Sequence, residues 1–165
     1  MTAQLISRTR KRRLGEDELG AWRALVRAYA AVTRALERDA EAEGRLPLFA
    51  YWLLLALWQG PTQGVRLTAL ADQTFLTKSG LTRAVDRLEA DGLVERRVCP
   101  SDGRGQLAVL TPRGRRAVVR SSPAHFRGIA SYFADELTDR EAAVIRKALD
   151  RVGDRAERHG EATPV

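Results

Sequence analysis

Short hydroxyl and cationic side chains recur in one stretch near the middle of the chain. Such side chains can hydrogen-bond to base edges and pair with phosphates, which is the chemistry of a segment lying in the major groove of DNA. The candidate DNA-contacting residues of this stretch are Thr77, Lys78, Ser79, Thr82, Arg83 and Arg87. A polar helix surface that only faces water is the plainer alternative for the same pattern.

The apolar residues of this stretch predict that it is a helix. They follow the i, i+3, i+4, i+7 spacing of one buried helical stripe: Leu81, Ala84, Val85 and Leu88. The helix is expected to end at Asp91-Gly92, because glycine readily adopts the left-handed conformation after a last helical turn. We therefore predict a helix that buries one side and presents its hydroxyls and cations on the other.

A hairpin is predicted directly after this helix. Residues 93–99 and 106–111 are rich in Val and Leu, and turn-forming residues lie between them. Arg104 lies in the predicted turn, where an ordinary hairpin-tip cation is one interpretation of it. Arg96 and Arg97, on the first strand, are interpreted as strand-surface charges, phosphate contacts or partners of Glu95 and Asp102. A helix with a basic outer face followed by such a hairpin is typical of a winged helix-turn-helix.

The order of these segments resembles the MarR family of bacterial transcriptional regulators. The sequence DGRGQLAVLT, residues 102–111, resembles the wing signature of that family, in which Asp-x-Arg is followed after a short gap by Leu-Thr. Residues 80–97 are similar to its recognition helix and first wing strand, and residues 110–116 to the start of its next helix. The resemblance extends, less sharply, from about residue 17 to residue 152.

The resemblance implies a mainly α fold with a small β-hairpin wing, a winged helix-turn-helix with flanking dimerisation helices. It implies a transcriptional repressor that binds a palindromic operator in double-stranded DNA as a homodimer and responds to a small-molecule effector. By the same resemblance, Arg104 enters the minor groove and Asp102 holds the wing in position. The family also has an effector cleft between its dimer helices and its winged helix.

Three residues fall on the segments that would line this implied cleft: Trp22, Trp52 and His125. An aromatic wall with one polar group suits a planar aromatic or phenolic effector, such as a small aromatic anion. The alternative interpretation is that all three side chains pack in the core.

Length and charge bound the class of protein. The chain has 165 residues, of which 44% are hydrophobic, enough for one domain with a sizeable core. Residues 1–15 hold five basic and no acidic residues, and residues 61–120 hold eleven basic against six acidic. Positive charge therefore gathers where a polyanion would bind. The longest apolar run, residues 48–58, is shorter than the roughly 20 residues that cross a bilayer, so no membrane partner is expected.

We expect one folded domain between two irregular ends. The predicted parts are a basic flexible arm at 1–15, a single domain at 16–153 with the winged helix at about 62–111 and dimerisation helices at about 16–43 and 112–153, and a frayed tail at 154–165.

Three local signals predict where helices begin or break. Thr68 is expected to cap a short helix that ends at Phe75. Thr138 and Glu141 have the spacing of a capping box at the start of the last helix. Pro123 should kink or break the helix that follows the wing, because proline lacks a backbone N–H.

The cysteine and histidine content argues against disulfide and metal sites. The single cysteine, Cys99, fits a reducing cytoplasm, so we expect a cytoplasmic protein without metal or cofactor. Because Cys99 lies on the wing strand near Arg96, Arg97 and Arg104, a thiol-based redox-sensing regulator remains an alternative. A small half-buried residue is the plainer interpretation of Cys99.

Two other classes of function fit the sequence less well. An enzyme is not expected, since the chain has no Ser-His-Asp arrangement, phosphate loop or carboxylate pair, and Cys99 lacks the Pro-Cys-His-Arg motif of alkyl transfer from DNA. A winged helix that binds protein or RNA without operator specificity is the second alternative. It would present an apolar or acidic helix face, or aromatic platforms for unpaired bases, and residues 77–92 have neither.

Overall fold

The computed structural model describes residues 13–73, 78–99 and 102–161, with the backbone alone described at 72–73, 78, 102–104 and 159–161. The helices are α1 (Glu16–Ala42), α2 (Leu48–Gln59), α3 (Leu67–Gln73), α4 (Lys78–Ala90), α5 (Pro112–Tyr132) and α6 (Asp139–Glu161), with a 3-10 turn at Ala134–Glu136. The strands are β1 (Val65–Arg66), β2 (Val94–Cys99) and β3 (Asp102–Leu110). This mainly helical architecture with a small sheet confirms the predicted fold class.

The three strands form one antiparallel sheet in the order β1-β3-β2. β2 and β3 pair in register from Val94 opposite Leu110 to Val98 opposite Gln106, and the register then shifts so that Cys99 faces Asp102. The predicted hairpin is therefore present, but β3 reaches back to Asp102, whereas the sequence placed the start of this strand at Gln106. β1 was not predicted, because two residues are too few to show an alternating pattern.

The core is centred on α2, which is apolar on nearly all sides and so is buried between other elements. The largest fully buried side chains are Tyr51, Leu53, Leu54, Leu70 and Val85. Leu81, Val85 and Leu88 of α4 are buried in the same core cluster as the residues of α2, which confirms the predicted apolar stripe. Each of these leucine and valine side chains contributes about 1.5–3 kcal/mol by its burial.

Several helix ends follow the sequence signals. Gly92 has a φ of 69°, the left-handed conformation expected after α4. Thr111 caps α5, because its Oγ1 accepts from the backbone N of Gly114 at 3.0 Å. At the start of α6, Glu141 accepts from the backbone N of Thr138 at 2.9 Å, and Thr138 Oγ1 accepts from that of Glu141 at 3.3 Å, so the predicted capping box is confirmed.

Three helix predictions were wrong. α3 begins at Leu67, so Thr68 lies inside the helix and does not cap it, and the predicted end at Phe75 lies outside the described residues. α5 runs through Pro123 as one helix, so the predicted break is wrong, because buried residues on both sides of the proline, such as Val118 and Ala124, outweigh the lost hydrogen bond; a kink at Pro123 stays a prediction. α6 continues past Gly153 to Glu161, where the sequence placed the frayed tail.

The outer helices leave apolar side chains uncovered. Along α1, which is described throughout, Ala35 and Leu36 are the buried residues. Large exposed apolar residues lie on α1, α5 and α6, among them Trp22, Val26, Tyr29, Phe126, Val144 and Val152. Across the described part of the chain, none of the helices combines the length and the apolar character that crossing a membrane requires.

Candidate nucleic-acid interface

The outer face of α4 presents the side chains that the sequence singled out. Ser79, Thr82, Arg83 and Arg87 are exposed, on the side of the helix opposite the buried stripe. This arrangement follows from helical periodicity, because burying Leu81, Val85 and Leu88 turns the intervening positions towards solvent. The face can donate hydrogen bonds and carries two cations, which suits base edges and phosphates.

Arg96 of β2 lies underneath this face and is locked to α4. Its Nη2 is 2.7 Å from Asp86 Oδ1, and its Nη1 donates to Glu89 Oε2 at 2.7 Å. Its backbone N also donates to Glu89 Oε1 at 3.0 Å. The Arg96 side chain is only 19% exposed. These contacts fix the first wing strand against α4, so that the helix and the wing hold one relative orientation.

The electrostatics of Arg96 agree with this geometry. Burial acts to lower the pKa of Arg96, but hydrogen bonds to Asp86 and Glu89 outweigh that effect, and the pKa is raised. The sequence had suggested Glu95 and Asp102 as partners, whereas the described partners of Arg96 are Asp86 and Glu89, and the Asp102 side chain lies outside the description. Its signal in the sequence was the pair of carboxylates at Asp86 and Glu89, three residues apart on α4.

Arg97, the next residue, is a surface charge. Its Nε donates to Glu95 Oε1 at 2.8 Å on the same strand, and both side chains are more than half exposed. The hydrogen bond from Arg97 lowers the pKa of Glu95, and the same bond raises the pKa of Arg97. The predicted pairing with Glu95 is therefore confirmed for Arg97.

The remaining predicted DNA contacts lie at the edges of the described structure. Thr77 lies outside the described residues, and no side chain is described for Lys78, Asp102 or Arg104. Their backbone positions are the first residue of α4 for Lys78 and the start of β3 for Asp102 and Arg104. The fold thus places Lys78 at the opening of the helix, and it places Arg104 within β3 near the hairpin end, where the sequence had placed it in the turn.

Two contacts that sequence reasoning missed hold the winged helix to its flanking helices. Thr111 Oγ1 donates to the carbonyl of Gly92 at 2.8 Å, which ties the end of α4 to the start of α5. The Arg115 guanidinium lies 4.7 Å from the ring centroid of Trp58, a cation–π contact between α5 and α2.

A second candidate site is a cavity of about 300 Å³ between α1, α2 and α5. Trp52 and His125 both line the cavity. The lining residues from α1 are Leu25, Ala28, Tyr29, Val32, Thr33 and Leu36. Trp22 does not line it and is 61% exposed, because it lies nearer the start of α1 than the part of that helix that α2 and α5 cover. The structure therefore brings two of the three predicted effector residues together and corrects the third.

His125 is held in this cavity by aromatic stacking. Its ring centroid lies 4.4 Å from that of Tyr51, with the planes tilted by 44°. The Tyr51 hydroxyl is 3.1 Å from Ser122 Oγ, one turn before His125 on α5. Burial lowers the pKa of His125, so the imidazole is neutral at neutral pH.

Cys99 is buried at the end of β2, opposite Asp102. Reactive thiols are accessible and have a lowered pKa. The burial of Cys99 therefore favours the interpretation of a small packing residue over that of a redox sensor.

Comparison with known proteins identifies the family. A profile of the MarR family matches residues 46–105, from just before α2 to the start of β3. Sco3205 of Streptomyces coelicolor, a MarR family transcriptional regulator solved in complex with DNA, is 33% identical, with 87% of this chain and 89% of Sco3205 covered and a TM-score of 0.80. The chain belongs to the MarR family.

Two further transcriptional regulators are similar to this MarR regulator. YkoM of Bacillus subtilis, an HTH-type transcriptional regulator, is 27% identical over 130 residues, which are 79% of this chain and 82% of YkoM. BpsR of Bordetella bronchiseptica, whose DNA binding is regulated by 6-hydroxynicotinic acid, is 26% identical, with 80% of this chain and 91% of BpsR covered and a TM-score of 0.71. In this MarR regulator, α3 and α4 are the helix-turn-helix and β2 and β3 are the wing.

Proposed function

We propose that this MarR regulator is a cytoplasmic, ligand-responsive repressor that binds a palindromic operator in double-stranded DNA as a homodimer. The observation that carries the proposal is the exposed hydroxyl and cationic face of α4 beside a wing that Arg96 fixes to the same helix. A winged helix of this kind reads bases with the helix and contacts the backbone or minor groove with the wing.

The direct DNA contacts follow from position. Thr82, Arg83 and Arg87 lie exposed along α4, and Lys78 opens that helix. Arginine can bind guanine in a bidentate way, while a lysine or hydroxyl can hold a phosphate. The similarity to Sco3205, which was solved with DNA, supports this assignment.

The homodimer is supported by the uncovered apolar surface. Trp22 and Val26 on α1, Phe126 on α5, and Val144 and Val152 on α6 are all exposed in the single chain. Exposed apolar side chains of this kind favour association, and a second copy would cover like with like around a two-fold axis. Two winged helices related by that axis would meet two inverted half-sites, which is why we propose a palindromic operator.

The response to a ligand is assigned to the cavity between α1, α2 and α5. Trp52 of α2 lines the cavity, and the neighbouring Leu53 and Leu54 pack in the core that includes Val85 of α4. A ligand that moves α2 would therefore move the recognition helix. The regulation of BpsR by 6-hydroxynicotinic acid supports a response to a small ligand in this family, without bearing on where the ligand binds.

One experiment tests the proposal as a whole. The full-length protein is used to select bound fragments from genomic DNA, and the fragments are sequenced. We expect enrichment of one sequence with two inverted half-sites, protection of both half-sites by the same complex, and a dimer by light scattering. Enrichment without a repeated motif, retention on RNA in preference to duplex DNA, or a monomer at micromolar concentration would contradict the proposal.

A further inference from the structure

We infer that the cavity between α1, α2 and α5 selects an uncharged aromatic effector and rejects a carboxylate built on the same ring. This inference rests on the proposed function in one respect, namely that the cavity is the effector site. It differs from the expectation of an aromatic anion, because the side chains that line the cavity offer an anion no counter-ion.

The lining is almost wholly apolar. Leu25, Val32 and Ile129 supply aliphatic surface, and Tyr29, Trp52 and Phe133 supply rings. Among the described residues that line the cavity, none is a lysine or an arginine. An aromatic ligand would gain apolar burial here, whereas an ionised carboxylate would lose its hydration without replacement.

The polar groups of the cavity are neutral hydrogen-bonding groups. Thr33 Oγ1 donates to the Tyr29 carbonyl at 2.7 Å, so its hydrogen is already engaged within α1. His125 presents an imidazole whose pKa is lowered by burial, and it is therefore uncharged at neutral pH. Such an imidazole can accept a hydrogen bond from a phenol or donate one to a carbonyl, but it does not balance a negative charge.

The cation on the far side of His125 belongs to a different cavity. Arg45 lines a smaller cavity of about 20 Å³, for which Leu36 and His125 form part of the wall shared with the large cavity. Arg45 Nε is 3.5 Å from Glu43 Oε2, and Glu43 also accepts from Arg127 at 2.7 Å. Glu43 is thus shared by two arginines, but Arg45 lines the small cavity and not the large one, whose described titratable lining residues are Tyr29 and His125.

The size of the cavity sets the size of the ligand. A volume of about 300 Å³ is at the lower end of ligand pockets, which suits one ring with a short substituent. We therefore assign to the cavity a small phenol, aromatic ester, amide or aldehyde.

The test compares acids with their own methyl esters. Binding of 4-hydroxybenzoate, salicylate and 4-hydroxycinnamate, and of the methyl ester of each, is measured by calorimetry with the full-length protein at pH 7. Release of operator DNA is measured in parallel by fluorescence anisotropy. We expect at least one ester to bind, and to bind at least tenfold more tightly than its acid.

Two variants place this preference in the cavity. Ile129→Lys puts a cation into the lining and should raise affinity for the acid at least tenfold relative to the ester, whereas Ala130→Lys adds the same charge on the neighbouring exposed residue and should not. His125→Arg is the second cavity variant if Ile129→Lys fails to fold, and the same gain is expected from it.

The outcomes separate the inference from the proposed function. Binding of the acids equal to or tighter than that of the esters, or no binding by any ester, overturns the inference. The esters could bind preferentially, with a preference that Ile129→Lys reverses, and yet leave the protein bound to DNA. That result supports the selectivity of the cavity and contradicts its role as the effector site. A protein that binds no operator contradicts the proposed function, while the calorimetric comparison still decides the selectivity.

Discussion

Replacing Arg96 with alanine should lower the free energy of unfolding of the protein, without removing an ionic contact with DNA. Arg96 makes two contacts of 2.7 Å, one to Asp86 and one to Glu89. A hydrogen bond to a charged group contributes about 1.5–3 kcal/mol when it is shielded, and an exposed ion pair about 0–1 kcal/mol. The Asp86 side chain is 55% exposed and that of Glu89 is 38% exposed, so both carboxylates regain water when the guanidinium is removed.

The expected cost is therefore about 2–3 kcal/mol for Arg96→Ala, since the backbone N–H of residue 96 still donates to Glu89. In a chain of this length each kcal/mol lowers Tm by about 2–4 °C, so Tm should fall by roughly 4–12 °C. Arg97→Ala is the matched control on the same strand. Its pair with Glu95 is exposed to water, so its removal should leave Tm almost unchanged.

The assay combines denaturation with DNA binding measured over a series of salt concentrations. If Arg96 positions the wing, affinity for the operator falls at temperatures where the variant is folded, but the slope of log affinity against log salt stays unchanged. If Arg96 instead holds a phosphate, the slope falls by about 1 while stability is unchanged. That second result would refute the assignment of Arg96 to the bond between α4 and β2.

Three further predictions concern other parts of the molecule. Arg83→Ala should relax base preference at one position of each half-site by about 1–3 kcal/mol, as measured by competition with altered operators. Arg104→Ala should lower both the affinity for the operator and the slope of log affinity against log salt. Unchanged values for either variant would show that its arginine does not contact DNA. Gly114→Ala should destabilise the fold by about 1–3 kcal/mol or more, because a Cβ would collide with the carbonyl of Leu93, whereas Gly153→Ala meets open space within α6 and should be neutral or stabilising in denaturant unfolding. The free energy of unfolding should fall as pH drops below 6.5, the ordinary pKa of histidine, because burial lowers the pKa of His125 in the folded state and the unfolded chain takes up the proton first. His125→Gln should reduce this loss of stability at acid pH, and an unchanged loss would contradict the burial argument.

The winged helix could be predicted because its signals are local. The stripe of Leu81, Val85 and Leu88 fixes which side of α4 is buried, and Gly92 ends the helix through its own backbone conformation. The capping box at Thr138 likewise depends on residues three apart. Each of these features is specified by neighbours in the sequence, so periodicity and residue type were sufficient.

Three of the failures depend on contacts distant in sequence. β1 exists because Val65 and Arg66 pair with Ala108 and Leu107, and two residues alone carry no pattern. Pro123 is tolerated because α5 is held along its length by packing, which no rule about a single proline can include. The position of Trp22 outside the cavity could not be read from the chain, since the sequence shows that α1 is amphipathic but not which of its turns α2 and α5 cover.

The position of α2 explains how one small fold can join a cavity to a DNA-reading helix. Tyr51 stacks on His125 and Trp52 lines the cavity, while Leu53 and Leu54 are fully buried in the core shared with Leu81 and Val85 of α4. A helix of twelve residues that is buried on several sides cannot adjust one face alone, because close-packed cores shift as units. A ligand that displaces Trp52 would therefore disturb the core that α2 shares with α4 and with the wing strand β3. By linkage, such a ligand must bind the DNA complex less tightly than the free protein, with a coupling of about 1–3 kcal/mol. Trp52→Ala should lower this coupling with little change in DNA affinity measured without ligand, and a coupling that survives the substitution would show that the signal bypasses α2.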